Sequence, residues 1–157
     1  MRELLILRHA DASAAEPGQP DIERPLSARG RAQMAALGPV LAPLLGGDID
    51  IVASAATRTA ETARLLAAAL GTSAERLVLE RDLYDASAGS LLTRVQALDA
   101  TCTRVALVAH NPGVSVLAHS LVTARVAGFA TAGWALLHVP DPWASLAPGV
   151  AALHHSG

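Results

Sequence analysis

Leu4-Leu5-Ile6-Leu7-Arg8-His9-Ala10-Asp11 is a run of four large apolar residues ending abruptly on a cation, an imidazole and a carboxylate. A half-exposed strand would alternate polar and apolar positions, so the unbroken run reads as a short strand covered on both faces. Similar runs recur along the chain, and strands are expected at residues 4–7, 49–53, 77–79, 105–109, 134–139 and 150–153. Helical patterns lie between them. Ala63, Leu66, Ala67 and Leu70 follow the i, i+3, i+4, i+7 spacing with Gly71 placed to end the helix, and Val114, Leu117, Ala118 and Leu121 repeat it. Met34, Leu37, Leu41 and Leu44 mark another helix, which Gly38, Pro39 and Pro43 are expected to kink or divide. Leu91, Val95 and Leu98 suggest a short one capped by Ser90. Strands alternating with helices predict an α/β fold around a mostly parallel sheet. At 157 residues the chain is expected to form one domain over residues 1–157.

Composition narrows the function. Twelve Lys and Arg against 14 Asp and Glu give a net charge of −2, so no broad cationic field exists to hold a nucleic acid or an anionic membrane. The apolar share is 52%, but charged residues, histidines and prolines interrupt every stretch before the roughly 20 residues a spanning helix needs. Arg2 and Glu3 precede a short apolar run that lacks the length of a secretory signal, and the one cysteine, Cys102, can form no intrachain disulfide. A cytoplasmic protein is the expectation.

Three motifs occupy equivalent places, each where an expected strand ends: Arg8-His9-Ala10-Asp11, Ser54-Ala55-Ala56-Thr57-Arg58-Thr59-Ala60-Glu61-Thr62, and Ala109-His110-Asn111-Pro112-Gly113. In an open parallel sheet these carboxyl ends share one edge, where ligands bind. Thr57 and Arg58 open one helix, and Asn111 as cap with Pro112 in the first turn is expected to open another, so free amides favour an anion there. Two arginines and two histidines at that edge suit a phosphate. A neutral imidazole with one nitrogen donating to a backbone oxygen presents a nucleophilic lone pair on the other, a role open to His9. Arg8 and Arg58 offer planar forks for phosphoryl oxygens, and His110 can donate to another oxygen. Each residue also has a plainer reading: a loop contact for the Arg8-His9 pair, an ion pair with Glu61 for Arg58, a strand-end hydrogen bond for His110. Their joint placement favours the anion site.

Leu7-Arg8-His9-Ala10-Asp11, Arg58 within its Ser/Thr/Glu motif, and Ala109-His110-Asn111-Pro112 resemble the histidine phosphatase superfamily in order and spacing. Arg24-Pro25-Leu26-Ser27 to Gly30-Arg31, with the small size, resembles its SixA-like branch of phosphohistidine phosphatases. The resemblance implies a three-layer α/β/α fold of the phosphoglycerate mutase type, transient phosphorylation of His9, phosphate binding by Arg8, Arg58, His110 and Asn111, and no metal or other cofactor. Where the superfamily commonly has glycine, this chain has Ala10 and Ala109, and alanine disfavours a positive φ. The expected partner is a phosphohistidine-bearing protein or a small phosphorylated substrate.

The leaving group bears on that choice. An alkoxide needs a proton donor, because its conjugate acid has a pKa close to that of water, about 15.7. An imidazole, near 6.5, can depart already protonated. The candidate acids are Asp82 and Asp85, with Asp85 nearer the position where related ester-cleaving enzymes carry a glutamate. A phosphohistidine protein is therefore the expected substrate. The alternatives are a small phosphoester metabolite handled by the same site and a non-catalytic phosphate-binding module. The loop at 11–25 could overhang the site, and Asp11 could orient it or meet substrate. His119, His138, His154 and His155 suggest no shared metal site, since the last two should face opposite sides of a terminal strand. Trp134 and Trp143 are expected to pack.

Overall fold

A computed structural model describes residues 1–157. Six strands form one sheet: β1 (Arg2–Arg8), β2 (Asp50–Ser54), β3 (Leu77–Glu80), β4 (Arg104–Ala109), β5 (Trp134–Val139) and β6 (Ala152–Ser156). Their order is β3-β2-β4-β1-β5-β6, with parallel pairing from β3 through β1 and antiparallel pairing on both sides of β5. The helices are α1 (Ala28–Leu45), α2 (Thr57–Leu70), α3 (Ala88–Gln96) and α4 (Gly113–Leu121).

Strand alternation divides the apolar residues between two cores. Leu5, Leu7, Ile51 and Val108 meet Met34, Leu41 and Leu45 of α1 and Ala63, Leu66 and Leu70 of α2. Leu4, Ile6, Val52 and Leu107 meet Leu91 and Val95 of α3 and Val114, Leu117 and Leu121 of α4 on the other face. Because neighbouring strand residues point to opposite faces, the unbroken Leu4–Leu7 run feeds both cores, and the product is the expected three-layer α/β/α fold. Burying one such leucine stabilises by about 1.5–3 kcal/mol. Trp134 and Trp143 are both buried in packing roles.

Several expectations require correction. Helix α1 is continuous despite Pro39 and Pro43, because both sit on its solvent side while Met34, Leu37, Leu41 and Leu45 are buried. The carbonyls whose helical partners the prolines remove, those of Ala35 and Pro39, belong to exposed residues that water can reach. Ser27 caps α1 by accepting the Gly30 N–H. Ser87, rather than Ser90, caps α3: it accepts the Ser90 N–H at 3.1 Å. Helix α4 begins at Gly113, with Pro112 outside its first turn and no side-chain cap, because the Asn111 amide is engaged elsewhere. β6 starts two residues later than expected and extends to Ser156, and an irregularity opposite Leu136 and Leu137 interrupts its register. That irregularity puts His154 and His155 side by side, ring centroids 4.3 Å apart, instead of on opposite faces.

The segment at 11–25 is held by local structure. Ala12 bridges Leu26, and Asp21–Glu23 forms a single 3₁₀ turn. Gly30 lets the first turn of α1 lie against this segment, since a Cβ there would collide with the Asp11 carbonyl oxygen. No helix is long and apolar enough to cross a membrane.

Candidate active site

The carboxyl ends of β1, β2 and β4 deliver Arg8, Ser54 and Ala109 to one edge of the sheet, and the next residues carry the polar groups. Hydrogen bonds continue the sheet past its end: His9 N–H donates to Ala109 O at 3.1 Å. Helix α2 is tied to the same point through Thr62, whose hydroxyl donates to Arg58 O at 2.7 Å and accepts the Ala10 N–H at 3.0 Å. Ala10 and Ala109 both have negative φ, the positive-φ residues other than glycine being Asp85 and Ala132, so alanine introduces no backbone strain at either position.

Arg8, His9, Arg58, His110 and Asn111 line one cavity of about 340 Å³, together with Asp11, Ala12, Arg24, Asp85 and Thr131. The structure thus gathers the sequence-derived candidates, and it separates the two acids: Asp85 lines the cavity and Asp82 does not. The imidazoles of His9 and His110 are 5.4 Å apart between ring centroids, tilted by 58°. A larger recess, about 370 Å³ between α1 and α2, is mostly apolar and contains none of these groups.

His9 is 8% exposed, and its Nδ1 lies 2.7 Å from the Ala10 carbonyl. A carbonyl can only accept, so Nδ1 carries the proton and Nε2 keeps its lone pair. Burial is the main influence on its pKa, pushing it down to about 4; the Ala10 carbonyl partly opposes this, and Arg58, Arg8 and Arg24 add to it. The ring is therefore neutral near pH 7.

His110 is pushed down to about 3, first by burial and then by Arg58 and His9. Its Nε2 lies 2.8 Å from Ser54 Oγ, which also accepts the Ala56 N–H. A serine hydroxyl that accepts from Ala56 can direct its own hydrogen at Nε2, leaving Nδ1 of the neutral ring as the N–H. That Nδ1 is buried and has no partner in the protein; the same is true of Arg8 Nε. Both belong to residues lining the cavity.

Arg8 is anchored by donating from Nη1 to Phe129 O at 3.0 Å, and its pKa is lowered by burial and then by Arg58. Asn111 donates to the same carbonyl at 2.8 Å and accepts from the Ser115 hydroxyl, so it fixes the wall that positions Arg8. Arg58 does not pair with Glu61, whose carboxylate instead accepts the Leu26 N–H at 2.9 Å. Arg58 donates from Nη1 to Asp21 O at 2.8 Å and from Nη2 to Asp21 Oδ2 at 3.0 Å. Asp11 lines the cavity and accepts the Ser27 hydroxyl at 2.5 Å.

Nothing in the sequence alone marks Ser54, Thr62, Asp21, Tyr84 or the carbonyl of Phe129 as part of the site. Ser54 and Thr62 stood within a quoted motif, and Asp21 lies three residues before Arg24, but nothing local marks a carbonyl over 100 residues from the arginine it holds.

Comparison with known proteins points to one family. The histidine phosphatase superfamily (branch 1) matches residues 4–101. An uncharacterised protein of Mycobacterium tuberculosis is 33% identical over 159 aligned positions, covering 94% of this chain and 96% of that one. The structure of a candidate phosphohistidine phosphatase SixA from Nakamurella multipartitia superposes with a TM-score of 0.84 at 29% identity, over 99% of this chain and 95% of that one. A mycobacterial glucosyl-3-phosphoglycerate phosphatase shares the fold at a TM-score of 0.66 and 20% identity, over 98% and 97% of the two chains. The chain belongs to the histidine phosphatase superfamily.

Proposed function

We propose that this phosphatase hydrolyses phosphohistidine on a protein, through a phosphohistidine intermediate at its own His9. The observation that carries the proposal is the convergence of a neutral His9 with Arg8, Arg58 and His110 on one cavity. In the first step His9 Nε2 attacks phosphorus in line, forming an N–P bond as the P–N bond of the substrate breaks. The departing imidazole carries its own proton, so no acid from the protein is needed for it to leave. Arg8 and Arg58 neutralise the equatorial oxygens during transfer, and the His110 imidazole donates to one of them. A second Asn111 amide hydrogen remains for the phosphate after the bond to Phe129 O. Water then attacks the phosphorylated His9, releasing inorganic phosphate and restoring the neutral ring. Every step uses protein groups and water.

One observation favours a second substrate class. Asp85 lines the cavity and could protonate an alkoxide, as hydrolysis of a small phosphoester metabolite requires. Purified protein tested on a phosphohistidine peptide and on a panel of sugar phosphates, with His9→Ala as control, separates these readings. Preferential release from the peptide, abolished by His9→Ala, is the expected result. Preferential ester cleavage assigns the metabolite role, and phosphate binding without turnover on any substrate assigns a non-catalytic binding module.

A further inference from the structure

Asp21 lies outside the sheet, in the 3₁₀ turn of the segment after β1, yet it is joined to the phosphate site by four hydrogen bonds. Its backbone carbonyl and Oδ2 take one hydrogen each from the two terminal nitrogens of Arg58, at 2.8 and 3.0 Å. Oδ2 also accepts the Tyr84 hydroxyl at 2.6 Å, and Oδ1 accepts Arg24 Nη1 at 2.9 Å. The Tyr84 ring lies 5.9 Å from the Arg58 guanidinium carbon and edge-on to His110 at 5.4 Å. Arg24 is itself held by donating to Ser13 O at 2.8 Å.

Arg58 is 5% exposed and makes no other side-chain hydrogen bond within the protein. A guanidinium has five N–H groups, so two are committed to Asp21 and three remain for an anion. A long side chain otherwise loses rotamer freedom when it must meet a transition state, and a bidentate anchor removes that freedom beforehand. The half-exposed Asp21 carboxylate also places one negative charge between Arg24 and Arg58, two cations that would otherwise repel each other in one cavity.

We infer that Asp21 is a positioning residue: it sets the orientation of Arg58 for phosphoryl transfer and, through Tyr84 and Arg24, locks the segment at 11–25 onto the site in that geometry. The inference rests on the proposed function for its catalytic consequence, but the anchoring itself can be read without turnover.

The test uses the full chain with Asp21→Ala, Asp21→Asn, Arg58→Ala and the Asp21→Ala/Arg58→Ala pair. Nitrogen NMR of the Arg58 guanidinium reports its rotation about the Nε–Cζ and Cζ–N bonds. Hindered rotation in the wild type, freed in Asp21→Ala and partly retained in Asp21→Asn, is expected. Kinetics on a phosphohistidine peptide should show kcat falling about 10- to 100-fold in Asp21→Ala. Calorimetry with inorganic phosphate should show equal or tighter binding, because a competing anion has gone. In the Arg58→Ala background Asp21→Ala should lower kcat several-fold less than it does in the wild type, because only its contacts with Tyr84 and Arg24 then remain to be lost. Equal losses in both backgrounds, or unchanged guanidinium rotation in Asp21→Ala, overturn the inference and leave Asp21 as a loop anchor only. Freed rotation in a protein that turns over no substrate would instead refute the proposed function and leave the anchoring intact.

Discussion

Acidification should destabilise this protein through two imidazoles that fold in neutral. An unperturbed histidine takes up its proton near pH 6.5, whereas His9 in the folded chain does so at about 4 and His110 at about 3. Between those values the unfolded state binds more protons than the folded state, so stability rises with pH and is lost as pH falls below about 6.5. For His9 the displacement from 6.5 to about 4 corresponds to about 3 kcal/mol at one pH unit per roughly 1.4 kcal/mol, complete near pH 4. His110 adds a loss that continues toward pH 3. Each protonated ring disfavours protonation of the other, so the two are not simply additive. The assay is urea unfolding at pH 7, 6, 5 and 4 in phosphate-free buffer, comparing wild type with the His9→Gln/His110→Gln variant. Carboxylates such as Asp21 titrate in both proteins and cancel to first order. Wild type should lose at least about 3 kcal/mol more than the variant between pH 7 and 4. Parallel stability curves would refute the reasoning.

Three further outcomes are expected. Arg58→Ala should lower kcat on a phosphohistidine peptide about 10²- to 10³-fold in steady-state kinetics, the loss typical of one oxyanion donor. Asp85→Asn should leave phosphohistidine release within about twofold while reducing any phosphoester cleavage by about 10²-fold or more, which parallel assays on the two substrates would read. Gly30→Ala should cost about 1–3 kcal/mol in denaturant unfolding, because its Cβ meets the Asp11 carbonyl and must displace the segment beside the site.

Much of the fold was legible because burial on both faces leaves an unmistakable pattern. The stretch at 134–139 was expected as a strand and is β5 with the same bounds, and Gly71 ends α2 with φ 72°, the conformation expected of a helix-ending glycine. Departures arose where solvent or backbone decided. Proline within a helical pattern predicts a kink or break, but the spacing of four keeps Pro39 and Pro43 both on the wet side of a continuous α1. At β6 the apolar Val150 and Ala151 drew the expected strand early, while an edge strand needs only backbone pairing and runs through exposed His154 and His155. The site followed the same division. Arg8, His9, Arg58 and His110 meet in one cavity because each stands at or just past a strand end, and topology gathers those ends. Asp21, Tyr84 and the Phe129 carbonyl act through contacts spanning 37, 63 and 121 residues, which no local spacing encodes.

The most direct measurement is to mix the protein with a phosphohistidine substrate carrying labelled phosphorus, quench within milliseconds in alkali, where phosphohistidine survives, and map the label by peptide mass spectrometry. Label on the peptide containing His9, absent from His9→Ala and released as inorganic phosphate during a chase, is the predicted result. Equal labelling of wild type and His9→Ala, or label confined to the peptide containing His110, would contradict the assignment of His9 as nucleophile.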